Sequence, residues 1–189
     1  MKKFFVTMLV VLLTAPTFAQ IGGGGFSIDE DNVYYGIRFG ITSANFSGDI
    51  DSDSKVGMTL AGIVGLRVSQ SAPLFLESGV YYTERGGKVK LPGDDLTISY
   101  NNIEVPLLIK YGIDTNAGFT LLPYVGPTFG YAIKTDNLTR ANMGFKLGCG
   151  AEFNQLYVEV GRHFGVTNIG KHDTSVHSNA WFLNVGIHF

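Results

Sequence analysis

The spacing Asp49-x-Asp51-x-Asp53 opens like a calcium-binding loop, in which oxygen ligands at alternate positions wrap a divalent cation. Ser54 stands where such a loop needs glycine for its sharp turn, and Leu60 stands where a bidentate glutamate would close the coordination sphere. The segment reads instead as a solvated loop. His172, Asp173 and His177 offer two imidazoles and a carboxylate, a donor set suited to a transition metal, but a polar loop fixes no geometry for them. His163 and Glu159 are the residues that could orient and activate a nucleophile for lipid hydrolysis or acyl transfer, and no serine is clearly paired with them. Gly22 to Gly25 neither follows a strand nor opens a helix with Lys-Ser/Thr, so it is a linker and not a phosphate cradle. The single cysteine, Cys149, excludes an intramolecular disulfide framework and a CxxC zinc or redox site. No catalytic, metal-binding or cofactor-binding residue is expected, and no cofactor.

The elements that carry these residues are legible from the chain's start. Lys2 and Lys3 precede an apolar run from Phe4 to Leu13, followed by small residues at Thr17 and Ala19. This is the pattern of a cleaved export signal over residues 1–19, too short to cross a bilayer as a helix. Residues 20–32 form a periplasmic linker and residues 33–189 the folded domain. Without Lys2 and Lys3, the 14 Lys and Arg fall to 12 against 16 Asp and Glu, a formal net charge of −4. That balance gives no electrostatic reason for a nucleic-acid partner. With 45% hydrophobic, 13% aromatic and 16% charged residues, the chain is neither disordered nor strongly charged.

Past Gln20 the apolar residues recur with period two, the signature of strands. Val33, Tyr35, Ile37, Phe39 and Ile41 share one face, with Arg38 on the other. The pattern returns over Val56–Val68, Leu74–Arg85, Ile98–Tyr111, Phe119–Ile133, Ala141–Phe153, Leu156–Val166 and Trp181–Phe189. Pro123 and Pro127 each remove a ladder donor from the fifth segment. The connections alternate between short (69–73, 112–118, 154–155) and longer, polar ones (Ser43–Lys55, Gly86–Thr97, Thr167–Asn179).

Eight strands with alternating connections predict an all-β protein, an eight-stranded antiparallel up-and-down transmembrane β-barrel. The charges decide its polarity. Arg38, Arg67, Glu77, Glu104, Lys110, Lys146, Glu152 and Glu159, together with Arg85 and Lys134, all fall on the less apolar face and are mixed in sign. The first eight are expected to form a charge network inside the lumen, with Glu77 or Glu104 near Lys110 and Arg38, while the apolar face meets lipid. A soluble barrel would need the opposite burial. Arg162 breaks the rule, falling among Leu156, Val158, Val160 and Phe164 on the lipid face. A bulge near Gly161 could turn it inward, it could snorkel to the interface, or it could contact a lipopolysaccharide phosphate, the bulge or snorkel being preferred. Eight strands enclose room for side chains and little more, which argues against a wide pore.

The alternating Trp181, Leu183, Val185, Ile187 and terminal Phe189 look like the signal by which the barrel-assembly machinery recognises its clients. More widely, the chain from about Val33 to Phe189 resembles the PorT-like family of small outer-membrane β-barrels. The matching features are Gly36-Ile37-Arg38-Phe39-Gly40-Ile41, Glu77-Ser78-Gly79-Val80-Tyr81-Tyr82 and Ile103-Glu104-Val105-Pro106-Leu107-Leu108-Ile109-Lys110-Tyr111. Tyr124-Val125-Gly126-Pro127-Thr128-Phe129-Gly130 fits as well. The resemblance implies an outer-membrane location and an eight-stranded fold, and its founding member is linked to secretion of surface proteins by the type IX system. It brings no catalytic residues. The expected protein is a non-enzymatic outer-membrane barrel with periplasmic termini, structural or accessory to a secretion or other complex. Its partners would be outer-membrane lipid and lipopolysaccharide, the assembly machinery, and other outer-membrane or secretion-complex proteins. A narrow channel and a lipid A-modifying enzyme are the alternatives.

Overall fold

The computed structural model describes residues 32–48, 52–69, 71–90, 95–115, 117–134, 140–168 and 176–189. Residues 1–31, where an export signal and nearly all of a linker are expected, lie outside them. So do Asp49, Asp51, His172 and Asp173.

The alternation is realised as eight long antiparallel strands, β1 (Val33–Gly48), β2 (Asp53–Arg67), β3 (Leu74–Lys90), β4 (Asp95–Tyr111), β6 (Thr120–Lys134), β7 (Ala141–Phe153), β8 (Leu156–Gly165) and β9 (Val176–His188). A two-residue strand, β5 (Ile113–Asp114), pairs with the start of β6. Neighbours in sequence are neighbours in the sheet, and β9 returns to β1 to close the barrel. The closing register runs from Gly36 opposite His188 to Gly48 opposite Val176, and Tyr35 and Phe189 exchange both backbone hydrogen bonds at 2.9 Å. Among the described residues closure leaves no open sheet edge, which a strand structure needs in a medium that cannot hydrogen-bond its backbone. β6 continues through Pro123 and Pro127, both paired with β7.

One end of the barrel carries short turns and the chain's last residue, and the other carries the longer connections. Several strands reach further toward the long-loop end than the alternation predicts. β1 continues six residues past Thr42, and β9 begins at Val176, five residues before Trp181. The inward positions Ala44 and Phe46 stay buried there, but the outward positions become Ser43, Asn45 and Ser47 on β1 and His177 and Asn179 on β9. Period two in hydrophobicity needs an apolar outer medium, so the pattern stops where that medium stops while the hydrogen-bonded ladder continues. Most of Ser43–Lys55 and Gly86–Thr97 is therefore strand and not loop, and of Thr167–Asn179 the last four residues are strand.

Burial is inverted relative to a water-soluble protein. Arg38, Glu77, Arg85, Glu104, Lys110, Lys146, Glu159 and His163 are buried inside. Ile37, Phe39, Leu60, Ile109, Phe129, Leu147 and Trp181 are among the many large apolar residues more than 40% exposed outside. At the long-loop end the lumen is topped by Phe46, Tyr100, Ala132 and Val176, with the Phe46 and Tyr100 rings stacked.

Candidate functional site

The lumen holds two charge clusters, one above the other. The cluster nearer the short-turn end centres on Glu77. Arg38 approaches it as a fork, Nη2 donating to Oε2 at 2.6 Å and Nη1 to Oε1 at 2.8 Å. Lys110 reaches the same Oε2 at 2.7 Å, and Tyr34 donates its hydroxyl to it at 2.8 Å. Arg38 also donates to the Tyr81 hydroxyl at 2.8 Å and lies 3.3 Å from Glu159 Oε2. Asn184 completes Glu159 with a 2.7 Å bond to Oε1. The Tyr157 ring lies between both cations, 4.2 Å from the Arg38 guanidinium and 4.6 Å from Lys110 Nζ. Its hydroxyl accepts from Lys110 at 2.9 Å and donates to Glu159 at 3.2 Å. Two cations thus face two carboxylates.

The second cluster centres on Glu104. Arg85 Nη2 meets its Oε1 at 2.5 Å, Asn102 donates to Oε1 at 2.9 Å, and Lys146 lies 3.6 Å from Oε2. Lys146 is held chiefly over rings, 4.0 Å from the Tyr81 centroid and 5.3 Å from that of Phe182, as cation–π attraction favours. His163 bridges the wall: Arg85 Nη1 is 3.1 Å from its Nδ1 and Thr128 Oγ1 is 2.9 Å from its Nε2. A guanidinium can only donate, so Nδ1 accepts and a neutral ring carries its proton on Nε2, donating to Thr128. His188, in the other cluster, is the mirror case. Its Nε2 accepts from Arg38 at 3.1 Å, and its Nδ1 donates to Glu152 at 2.8 Å. His163 is thus engaged on both ring nitrogens and packed between Arg85 and Thr128.

Glycine makes room for these rings. A Cβ at Gly65 would fall within the Tyr34 ring, and one at Gly150 within that of Tyr157. The wall is bare where an aromatic lies flat against it. Between Arg85, Lys146, Thr42, Thr59, Thr83 and Asn184 a hollow of about 10 Å³ remains, room for about one water molecule.

Of the eight charges expected in the lumen, Arg38, Glu77, Lys110 and Glu159 come together, and Glu104 and Lys146 meet in the other cluster. Glu104 is not near Lys110. Arg67 is outside both. Its position has inward parity, but it ends β2 beyond the enclosed lumen, exposed, with Nε donating to the Ser69 carbonyl at 3.1 Å. Glu152 sits at the rim, half-buried on His188. Sequence reasoning left Tyr34, Tyr81, Tyr157, Asn184 and His188 out of the network, although each shares its face with the charges. Among the described residues no group of three His, Cys, Asp or Glu side chains is placed to hold a metal ion.

A model of the family described as outer membrane protein beta-barrel domain matches residues 5–189. The chain belongs to that family. No curated protein sequence matches it. Among solved structures, this outer-membrane barrel is similar to Neisserial surface protein A, with a TM-score of 0.52 at 15% identity over 82% of this chain and 97% of that one. It is also similar to the outer membrane protein OprG of Pseudomonas aeruginosa, with a TM-score of 0.53 at 14% identity over 84% and 96% of the two chains. At that identity the likeness is one of fold.

The apolar outer surface of this outer-membrane barrel is therefore its lipid face. Trp181, Leu183, Val185, Ile187 and Phe189 form one outward row along β9, all exposed. Arg162 stands on the same face. No bulge turns it inward: the register runs unbroken from Phe145 opposite Phe164, through Leu147 opposite Arg162, to Cys149 opposite Val160. Gly161 beside it pairs regularly with Gly148 and Phe182. An arginine on the lipid face costs about 2–4 kcal/mol at the bilayer midplane and far less near the interfaces, so its surroundings must account for it. Its guanidinium carbon lies 4.8 Å from the Phe164 ring centre and 5.4 Å from that of Trp181.

Proposed function

We propose that this protein is a non-enzymatic component of the outer membrane that works through the surfaces it presents, as a structural or interaction protein accessory to a secretion or other envelope complex. The observation that carries this reading is the filled lumen. Two stacked charge clusters under an apolar cap occupy the interior that a channel would need open, so binding falls to the long-loop end and the lipid face. The resemblance to the PorT-like barrels points the same way, toward an accessory of surface-protein secretion. In this reading residues 1–19 are the cleaved export signal, both termini are periplasmic, and the long-loop end faces outward. The outward row ending in Phe189 is what the assembly machinery engages, and lipopolysaccharide surrounds the outer half of the wall.

Purification of the native protein from outer membranes in mild detergent, followed by mass spectrometry of what stays bound, tests the reading. Stoichiometric envelope proteins are expected. A barrel that emerges alone with lipid would overturn the accessory role, and release of fatty acid from lipid A by the purified protein would replace it with an enzymatic one.

A further inference from the structure

Arg162 is the one element of the described lipid face that neither the fold nor the proposed function uses. Its Nε is shielded from solvent and has no hydrogen-bond partner. Next to it the wall carries a hollow of about 330 Å³, lined by Leu147, Val160, Phe164 and Trp181 and floored by the backbone of Gly148 and Gly161. Among the described residues Arg162 is the only ionisable group lining that hollow. The height of the site follows from its neighbours. Phe164 is the next outward residue of β8 toward the long-loop end, so a guanidinium lying near that ring is directed away from the short turns. Trp181, opposite Arg162, is the last apolar outward residue of β9 before Asn179 and His177. Its own partner on β1 is Ser43, followed outward by Asn45 and Ser47. The apolar band ends at this level on β9 and β1, while on β7 and β8 it runs on through Phe145, Met143 and Phe164 and, just past β8, Val166. A tryptophan at such an edge is where an indole prefers to sit, at the boundary of hydrocarbon and headgroups.

We propose that Arg162, Trp181 and the adjoining hollow form a binding site for a phosphate-bearing lipid of the leaflet at the long-loop end. The guanidinium fork takes the headgroup phosphate, a match of planar donors to tetrahedral oxygens. An acyl chain lies in the hollow over Gly148 and Gly161. A single cation beside a strip of hydrocarbon fits an amphiphile with one anionic head, and among the described residues no second charged side chain lines the hollow to specify a protein segment. Given the orientation in the proposed function, that lipid is a lipid A-type phosphoglycolipid. The site itself does not depend on what the barrel does for secretion.

The test uses the full-length barrel in neutral detergent, titrated by native mass spectrometry with lipid A carrying its phosphates and with the same lipid dephosphorylated. The wild type is expected to retain the phosphorylated form about tenfold or more over the dephosphorylated one, the scale of a charge-assisted pair. Arg162→Leu abolishes that preference, and Arg162→Lys keeps part of it. Val160→Trp fills the hollow and lowers retention of both lipids with Arg162 in place. Each variant is first checked for the heat-resistant folded form on a gel. Equal retention of both lipids by the wild type would overturn the site, as would a preference surviving Arg162→Leu. Displacement by millimolar inorganic phosphate would reduce it to a bare anion contact, and a co-purifying protein lost only in Arg162→Leu would assign the arginine to a protein interface instead. Because the readout is lipid retention, the site can fail while the accessory role stands, and the reverse.

Discussion

The two clusters of the lumen are built from the same residue types and differ in balance. Around Glu77, two cations face two carboxylates, and Arg38 alone touches Glu77, Glu159, Tyr81 and His188. Around Glu104, Arg85 and Lys146 share a single carboxylate among the described residues, and the second cation rests on aromatic faces 3.6 Å or more from it. Buried charge is tolerated only when compensated, and removing one partner of a satisfied set leaves the other exposed to its full desolvation cost. The Glu77 cluster is thus a lock in which every member is needed. The Glu104 cluster holds a cation that is not.

Glu77→Ala breaks this comparison open most strongly, because it removes the carboxylate that both Arg38 and Lys110 touch and leaves the two cations with Glu159 alone. Urea unfolding from lipid vesicles should register a loss of about 3–5 kcal/mol. A double-mutant cycle on Arg38 and Glu77 should then return a coupling of roughly 1–3 kcal/mol, whereas Arg38 with Glu104, in different clusters, should be additive to within about 0.5 kcal/mol. Lys110→Met removes one of Glu77's two cations but leaves the Arg38 fork, for a loss of about 1–3 kcal/mol in the same assay. At the half-exposed rim, Glu152→Gln should cost less than about 1 kcal/mol. Lys146→Met keeps the aromatic contacts, restores one cation to one carboxylate, and should change stability by less than about 1 kcal/mol in either direction. If Lys110→Met and Lys146→Met cost the same, the difference in balance carries no energetic weight.

How much of this the chain disclosed depends on which physical rule wrote each part. Within the bilayer the rule is strict alternation, and the strand faces of Ile37, Phe39, Leu183 and Val185 are readable from it. Above the bilayer the outward residues need not be apolar, so the continuation of β1 through Phe46 leaves only its inward Ala44 and Phe46 as traces. Parity also gives a face but not a height, which is why Arg67 reads as a lumen residue although it stands past the barrel's end. The pairing of Glu104 with Lys110 could have been excluded. Six residues apart on one face of one strand, they are about 20 Å apart along it. The partners that do form, Arg38 to Glu77 and Arg85 to Glu104, depend on which strands are adjacent and on tilt, and period two is silent on both. The tyrosines were hidden for another reason: Tyr35, Tyr111 and Tyr131 point outward while Tyr34, Tyr81 and Tyr157 point inward, so residue type alone does not sort them. The glycines opposite the inward rings, Gly65 and Gly150, were the available clue.

Conductance of the purified wild-type barrel in planar bilayers at molar potassium chloride addresses the filled lumen most directly. A baseline indistinguishable from the bare membrane is the predicted result. Reproducible stepwise ohmic current would contradict it, since ions would then be passing where Arg38, Glu77, Lys110 and Glu159 are held together.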